Sequence, residues 1–168
     1  MKKSDFSYEL PPELIAQAPL PGRSDSRLLV VPPADAPLRD LHFRDIAGLL
    51  QAGDLLVFND TRVIPARLFG RKQTGGEVEI LIERLLPAQQ ARAQIGASKP
   101  PKPGSRISLQ DGTGLTVLGR EDGFYLLRFE TTEPAEAVLN RLGQLPLPPY
   151  IQRAAGDDDA ERYQTVFA

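Results

Sequence analysis

The chain has 168 residues, a net charge of −2, one histidine and no cysteine, with 41% hydrophobic and 25% charged residues. This is the profile of a soluble globular protein long enough to bury a core, and it excludes disulfides, thiolate catalysis and zinc ribbons. No apolar run approaches the roughly 20 residues of a membrane helix, and no apolar stretch follows the lysines of MKKSDFSYEL as it would in a secretory signal. A cytoplasmic protein with no metal is expected.

From the N-terminus, Pro11-Pro12-Glu13 opens a short helix reaching Ala16, since proline is tolerated in a first turn. Residues 27–31 form a mostly apolar run stopped by Pro32-Pro33 and read as a buried strand; 32–37 read as a surface loop. Phe43, Ile46, Ala47, Leu49 and Leu50 recur at helical spacing, with Gly53 placed to end that helix. Residues 55–58 then predict a second buried strand. Strand, helix and strand in succession predict an α/β layer.

Beyond Asn59 the pattern shortens. Residues 64–71, 77–85, 91–97, 106–109, 114–119 and 124–129 predict six short strands, punctuated by Thr74-Gly75-Gly76, 100–104, Asp111-Gly112 and Asp122-Gly123. Val78, Ile80 and Ile82 share one face, opposite Glu77, Glu79 and Glu83, with Leu81 partly covered. A small antiparallel barrel is expected. Thr131-Thr132-Glu133-Pro134 then cap a helix carrying Ala137, Val138 and Leu142, which Gly143 stops. Prolines keep 145–150 extended, and Asp157-Asp158-Asp159 read as a solvated turn. The run 163–168 is aromatic and β-branched with no polar tail, so a fragment of a longer protein is expected, the alternative being an edge strand closing the domain.

The charge is uneven. Between Thr61 and Arg106 nine Lys/Arg face three Glu, a balance of +6 against −8 elsewhere. A polyanion-binding insert has this pattern, as do charged strand faces that alternate with apolar ones. His42 opens a helical pattern and reads as structural. Neither a dinucleotide fingerprint nor a P-loop is present.

The most informative block is Phe58-Asn59-Asp60-Thr61-Arg62-Val63-Ile64-Pro65-Ala66-Arg67, where a buried strand ends in four polar residues at the edge where α/β sheets place ligands. Asn59, Asp60 and Thr61 suit sugar hydroxyls or an adenine edge, and Arg62 and Arg67 suit a carboxylate or phosphate. The alternative is an Asx turn joining two strands, with Asp60 and Arg62 as local fasteners.

These residues bring a resemblance. Asp5-Phe6, Tyr8-Glu9-Leu10-Pro11, Leu14-Ile15-Ala16, Ser26-Arg27-Leu28-Leu29, the long block 53–68, Gly75-Gly76, Ala97-Ser98-Lys99, 145–151 and Tyr163-Gln164-Thr165-Val166 follow one another in order. In them the chain resembles the N-terminal half of the S-adenosylmethionine:tRNA ribosyltransferase-isomerases of queuosine biosynthesis. The resemblance implies a partial α/β domain interrupted by an inserted antiparallel β-barrel, with 1–63 and 132–168 in the former and 64–131 in the latter. It implies transfer of the ribosyl moiety of S-adenosylmethionine, as co-substrate, to 7-aminomethyl-7-deazaguanine at the tRNA wobble position. Epoxyqueuosine forms, and adenine and methionine leave. This chemistry needs a base for the proton beside the sulfonium and a pocket excluding water, with no permanently bound cofactor and no metal; a monomer is expected at full length.

The family's second half has no counterpart here, and Gly96 stands where its pattern often carries arginine. By residue chemistry, Asp60 and Arg62 are expected to be catalytic. Asn59, Thr61 and Arg67 are expected to contact substrate. Ser98 and Lys99 are expected at the tRNA or substrate surface, and Tyr150, Arg153 and Tyr163 at the domain junction. The competing expectation is a non-catalytic tRNA-binding barrel.

Overall fold

The computed structural model describes residues 1–33 and 36–167. Among the described residues there are eight strands, β1 (Arg27–Val30), β2 (Arg39–His42), β3 (Arg67–Lys72), β4 (Glu77–Leu86), β5 (Gln90–Gly96), β6 (Arg106–Leu109), β7 (Gly114–Glu121) and β8 (Phe124–Glu130). Two short helices follow, α1 (Ala135–Leu142) and α2 (Asp157–Arg162). The chain divides into two compact units, one of 1–61, 148–154 and 161–168 and the other of 62–147 and 155–160.

The second unit is a closed barrel with the strand order β3-β4-β5-β8-β7-β6, every pairing antiparallel. Period-2 alternation builds it. Leu68, Ile80, Ala91, Ala93, Ile107, Leu115, Val117 and Leu127 turn inward and are fully buried, with Val78, Ile82, Leu109, Tyr125 and Phe129 beside them. Leu81 packs partly buried against this core, as the interrupted charged face of β4 suggests. The six expected strands are all present, within two or three residues of their expected ends. Closure occurs between β3 and β6, where Gly70 lies opposite Leu109. A Cβ on Gly70 would come within 2.8 Å of Ile107 Cγ2 and 2.9 Å of the Ser108 carbonyl oxygen, so only glycine allows this approach.

One hairpin carries no turn signal. Ala88 and Gln89 both adopt left-handed φ, 57° and 59°, between β4 and β5, a conformation that Gly or Asn ordinarily supplies. Its effect reaches α1. The helix is expected to be capped from 131–134, yet Pro134 occupies the N-cap and offers no side-chain bond. Gln89 serves instead: its Oε1 accepts from the Ala135 N–H at 3.0 Å and its Nε2 donates to the Glu133 carbonyl. Val138 and Leu139 of α1 are buried in the barrel core. At the far end of α1, Gly143 presses against backbone, and Gln144 forms a two-bond bridge with Arg67.

The first unit departs further from expectation. β1 is present but not buried, its residues alternating exposed and half-buried, and it pairs antiparallel with β2, from Arg27 opposite His42 to Val30 opposite Arg39. The amphipathic run Phe43–Leu49 forms a 3-10 helix, and the opening prolines lead into a 3-10 turn over Pro12–Leu14. Residues 55–58 form no strand. Leu55 and Val57 are 87% and 86% exposed, because no strand among the described residues pairs with this run. The strand–helix–strand layer is therefore replaced here by a two-stranded sheet with a 3-10 helix. Of the loop expected over 32–37, Ala34 and Asp35 lie outside the described residues.

The acidic run also differs. It opens α2, whose first turn favours negative charge, and the Asp159 carboxylate accepts from the Gly156 N–H at 2.7 Å. The run 163–167 forms turns, with Val166 and Phe167 exposed. Among the described residues, no helix is long and apolar enough to cross a membrane.

Candidate functional site

In the first unit, Asn59 Oδ1 accepts from both the Thr61 N–H, at 3.0 Å, and the Thr61 hydroxyl, at 2.7 Å. This is an Asx turn, so for Asn59 and Thr61 the local-fastener reading describes the geometry. Asp60 lies between them in the chain, exposed. The other expected fastening, between Asp60 and Arg62, is not among the ion pairs of the described residues. The turn thus satisfies its own polar atoms and leaves one carboxylate to solvent, able to accept from a sugar hydroxyl or take a proton.

The C-terminal turns come to this block. The Thr165 hydroxyl donates to the Thr61 carbonyl at 3.3 Å, and the Phe58 and Phe167 rings stand 4.7 Å apart at 56°. Half-buried Tyr163 belongs to the same turns. Arg23 anchors them by donating to the carbonyls of Glu161 and Gln164, at 2.6 and 3.1 Å; Arg162 reciprocates toward the carbonyls of Pro21 and Leu20. Tyr150 and Arg153 are gathered around Gln17. Gln17 Nε2 donates to the Tyr150 carbonyl at 3.0 Å, its Oε1 accepts from the Gln152 N–H, and its carbonyl accepts from Arg153 Nε, both at 2.7 Å. Tyr150 keeps its ring exposed. Gln17, Arg23 and Thr165 were not expected in this role. The partners named here lie more than a hundred residues away in the chain.

The remaining expected residues, Arg62, Arg67, Ser98 and Lys99, belong to the second unit. Arg67 is held there: its Nε lies 3.0 Å from Glu79 Oε1, an ion pair by distance whose angle misses a hydrogen bond, and its NH2 reaches toward the Leu147 carbonyl at 3.5 Å. Other cations of the basic stretch are likewise compensated. Arg71 meets Glu77, Arg84 and Arg92 meet Glu83, and Arg106 meets Glu130. No carboxylate partner is found among the described residues for Arg62, Lys72, Lys99 and Lys102. Two of these four, Lys72 and Lys99, meet in space across 27 residues of chain, and Lys102 follows Lys99 closely in sequence. Lys72 Nζ donates to the Lys99 carbonyl at 2.7 Å, and Lys102 sits exposed in a turn whose N–H donates to Ser105 Oγ at 3.1 Å. Exposed Ser98 adjoins them. Lys72 is the member that charge counting includes but does not single out.

Shifted carboxylates lie elsewhere, at the barrel rim. Hydrogen bonding by Arg141, with the Thr113 N–H next, lowers Asp111 to about 2. Glu130 is lowered first by the Thr116 hydroxyl and then by Arg106. A Cβ on Gly114 would fall on this last pair, 2.2 Å from Glu130 Oε2. Structural ion-pair networks account for both shifts. Among the described residues, no three His, Asp or Glu side chains gather as a metal site.

The fold is therefore a small closed barrel with an unpaired lysine group, joined in one chain to a unit that displays an Asx turn and its carboxylate. The chain belongs to the family described as queuosine biosynthesis protein, whose model matches residues 3–168. It is 68% identical over 168 residues to the S-adenosylmethionine:tRNA ribosyltransferase-isomerase of Stenotrophomonas maltophilia, covering 100% of this chain and 49% of that one. Identity to the protein of the same name from Xanthomonas oryzae pv. oryzae is 66%, covering 47% of it, and to that of Azoarcus sp. 62% over 164 residues, covering 98% of this chain and 47% of the relative. A crystal structure of S-adenosylmethionine tRNA ribosyltransferase from Thermotoga maritima is 34% identical, covers 83% of this chain and 48% of its own, and superposes with a TM-score of 0.42. The chain spans about half the length of the curated relatives it matches.

Proposed function

We propose that the chain serves a tRNA-modifying transfer: the ribosyl moiety of S-adenosylmethionine moves to 7-aminomethyl-7-deazaguanine in tRNA, giving epoxyqueuosine and releasing adenine and methionine. The observation that carries this is identity of 60–68% along the whole chain to relatives named for that activity. In this reading Asp60, exposed on its Asx turn, is the base or ribose ligand, and Arg62 assists charge as the purine leaves. Asn59 and Thr61 hold the turn, and Arg67 acts through its hold on Glu79 and on Gln144 and Leu147. Tyr150, Arg153 and Tyr163 contact substrate, and Ser98 and Lys99 face the tRNA.

The first unit is built from segments on both sides of the barrel, which supports a partial α/β domain interrupted by an inserted barrel; of the bounds 1–63, 64–131 and 132–168 expected for it, the stretch 132–147 with α1 goes with the barrel unit. S-adenosylmethionine is consumed as co-substrate, no cofactor is held permanently, and the full-length protein works as a cytoplasmic monomer.

The test uses a chimera in which this chain replaces the matching half of the Stenotrophomonas maltophilia relative. It is given S-adenosylmethionine and tRNA bearing 7-aminomethyl-7-deazaguanine. Adenine release is expected, with Asp60→Asn slowing it about a hundredfold or more while S-adenosylmethionine binding persists, the loss typical of removing a positioned base. A folded chimera that releases no adenine contradicts the function. Release unaffected by Asp60→Asn removes Asp60 from proton transfer.

A further inference from the structure

Among the described residues, Phe69 is the one large apolar side chain on the barrel strands that stands exposed. Along β3 the outward positions run Arg67, Phe69, Arg71, with Phe69 opposite Glu79 and Arg71 opposite Glu77 on β4 and Ser108 on β6. Beside this stripe an open groove of about 490 Å³ runs over β3, β4 and β6, lined among others by Phe69, Arg71, Glu77, Ser108 and Gln110. Its size is that of a small-molecule site, and its chemistry is specific. An aromatic face stands beside a guanidinium, a hydroxyl and a carboxamide, the set that stacks an unpaired base and bonds its edges. Glu77 does not leave the groove acidic, because Arg71 NH2 holds it at 3.1 Å.

The lysines without a carboxylate partner lie near the groove in the chain, outside its lining. Lys72 follows Arg71 directly, and its side chain lies over Gly76, where a Cβ would come within 2.9 Å of Lys72 Cε. Glu77 comes next in the chain and lines the groove. Lys72 Nζ in turn reaches the Lys99 carbonyl, and the turn carrying Lys102 leads into β6. A base-sized aromatic seat with uncompensated cations close by in the chain is complementary to single-stranded RNA.

We infer that this outer groove seats an unpaired nucleobase on Phe69, with Lys72, Lys99 and Lys102 on the flanking phosphates. The inference deepens the proposed function, on which it rests for the RNA being tRNA, by assigning the barrel a contact with an unpaired stretch. The test titrates the 168-residue chain into a fluorescent single-stranded heptaribonucleotide and into an RNA duplex, at several salt concentrations. Phe69→Leu is expected to weaken single-strand binding about tenfold with its salt slope unchanged, and Phe69→Trp to retain it, as loss and restoration of one stacked base require. The Lys99→Gln/Lys102→Gln double variant is expected to lower the slope by about 1.4, two contacts at roughly 0.7 each. Phe69→Leu binding as tightly as wild type, or duplex bound as well as single strand, overturns the inference. This binding needs neither S-adenosylmethionine nor turnover, so its failure is read separately from failure of ribosyl transfer.

Discussion

Gln89 links two elements that local sequence cannot connect. Its left-handed backbone turns β4 into β5, and its carboxamide bonds Ala135 and Glu133 at the start of α1. Gln89→Ala should destabilise the chain by about 1 kcal/mol or more, the usual cost of a lost cap, measured by far-UV circular dichroism in urea. Asp111 sets a pH dependence. Its carboxyl titrates near 2 in the folded chain against an ordinary 3.8, and Glu130 is lowered as well. Groups lowered by folding stabilise above their ordinary values, and that contribution is lost as pH falls through the folded ones. Stability should therefore decline from about pH 4 toward pH 2, and Asp111→Asn should flatten the decline. At this scale the sequence is legible where partners are near, as in Asn59 and Thr61, whose Asx-turn alternative is present. Gln17 and Gln89 are invisible to it, because their partners are set by the fold.

Strands are the most legible elements. Alternation of Val78, Ile80 and Ile82 with charged residues fixes which face of β4 is buried, and Asp122-Gly123 and Gly75 fall at the expected turns. Residues 55–58 differ. Four apolar residues signal a demand for burial without naming what meets it, and here they stay exposed. The acidic run 157–159 fails for another reason: charge suggests solvent, while an acidic first turn also suits a helix N-terminus. Gly143 was expected as a helix stop and has a second constraint. A Cβ there would lie 1.9 Å from the Pro65 carbonyl oxygen and 2.4 Å from that of Leu139. Gly143→Ala should cost about 1–3 kcal/mol, the range of an overpacked contact, and should loosen the Arg67–Gln144 bridge, read as faster amide exchange at those residues.

For the whole molecule, charge alone overstates the basic character of the middle segment. Five of its nine cations are met by barrel carboxylates, which leaves Arg62 and three lysines, Lys72, Lys99 and Lys102, in place of a diffuse basic face. The block 59–62 was legible as a polar cluster, and its membership of the family follows from residues spread over the entire chain. The split of the expected residues between the units was not, since Asn59, Asp60 and Thr61 fall in one and Arg62, Arg67, Ser98 and Lys99 in the other.

The most direct test of ribosyl transfer is to digest the tRNA to nucleosides after incubation with S-adenosylmethionine and the chimera, and to weigh the modified base by mass spectrometry. The expected result is conversion of 7-aminomethyl-7-deazaguanosine to epoxyqueuosine, one product per adenine released. An unmodified nucleoside, from a folded chimera that still binds the tRNA, would contradict ribosyl transfer and leave an RNA-binding barrel as the function.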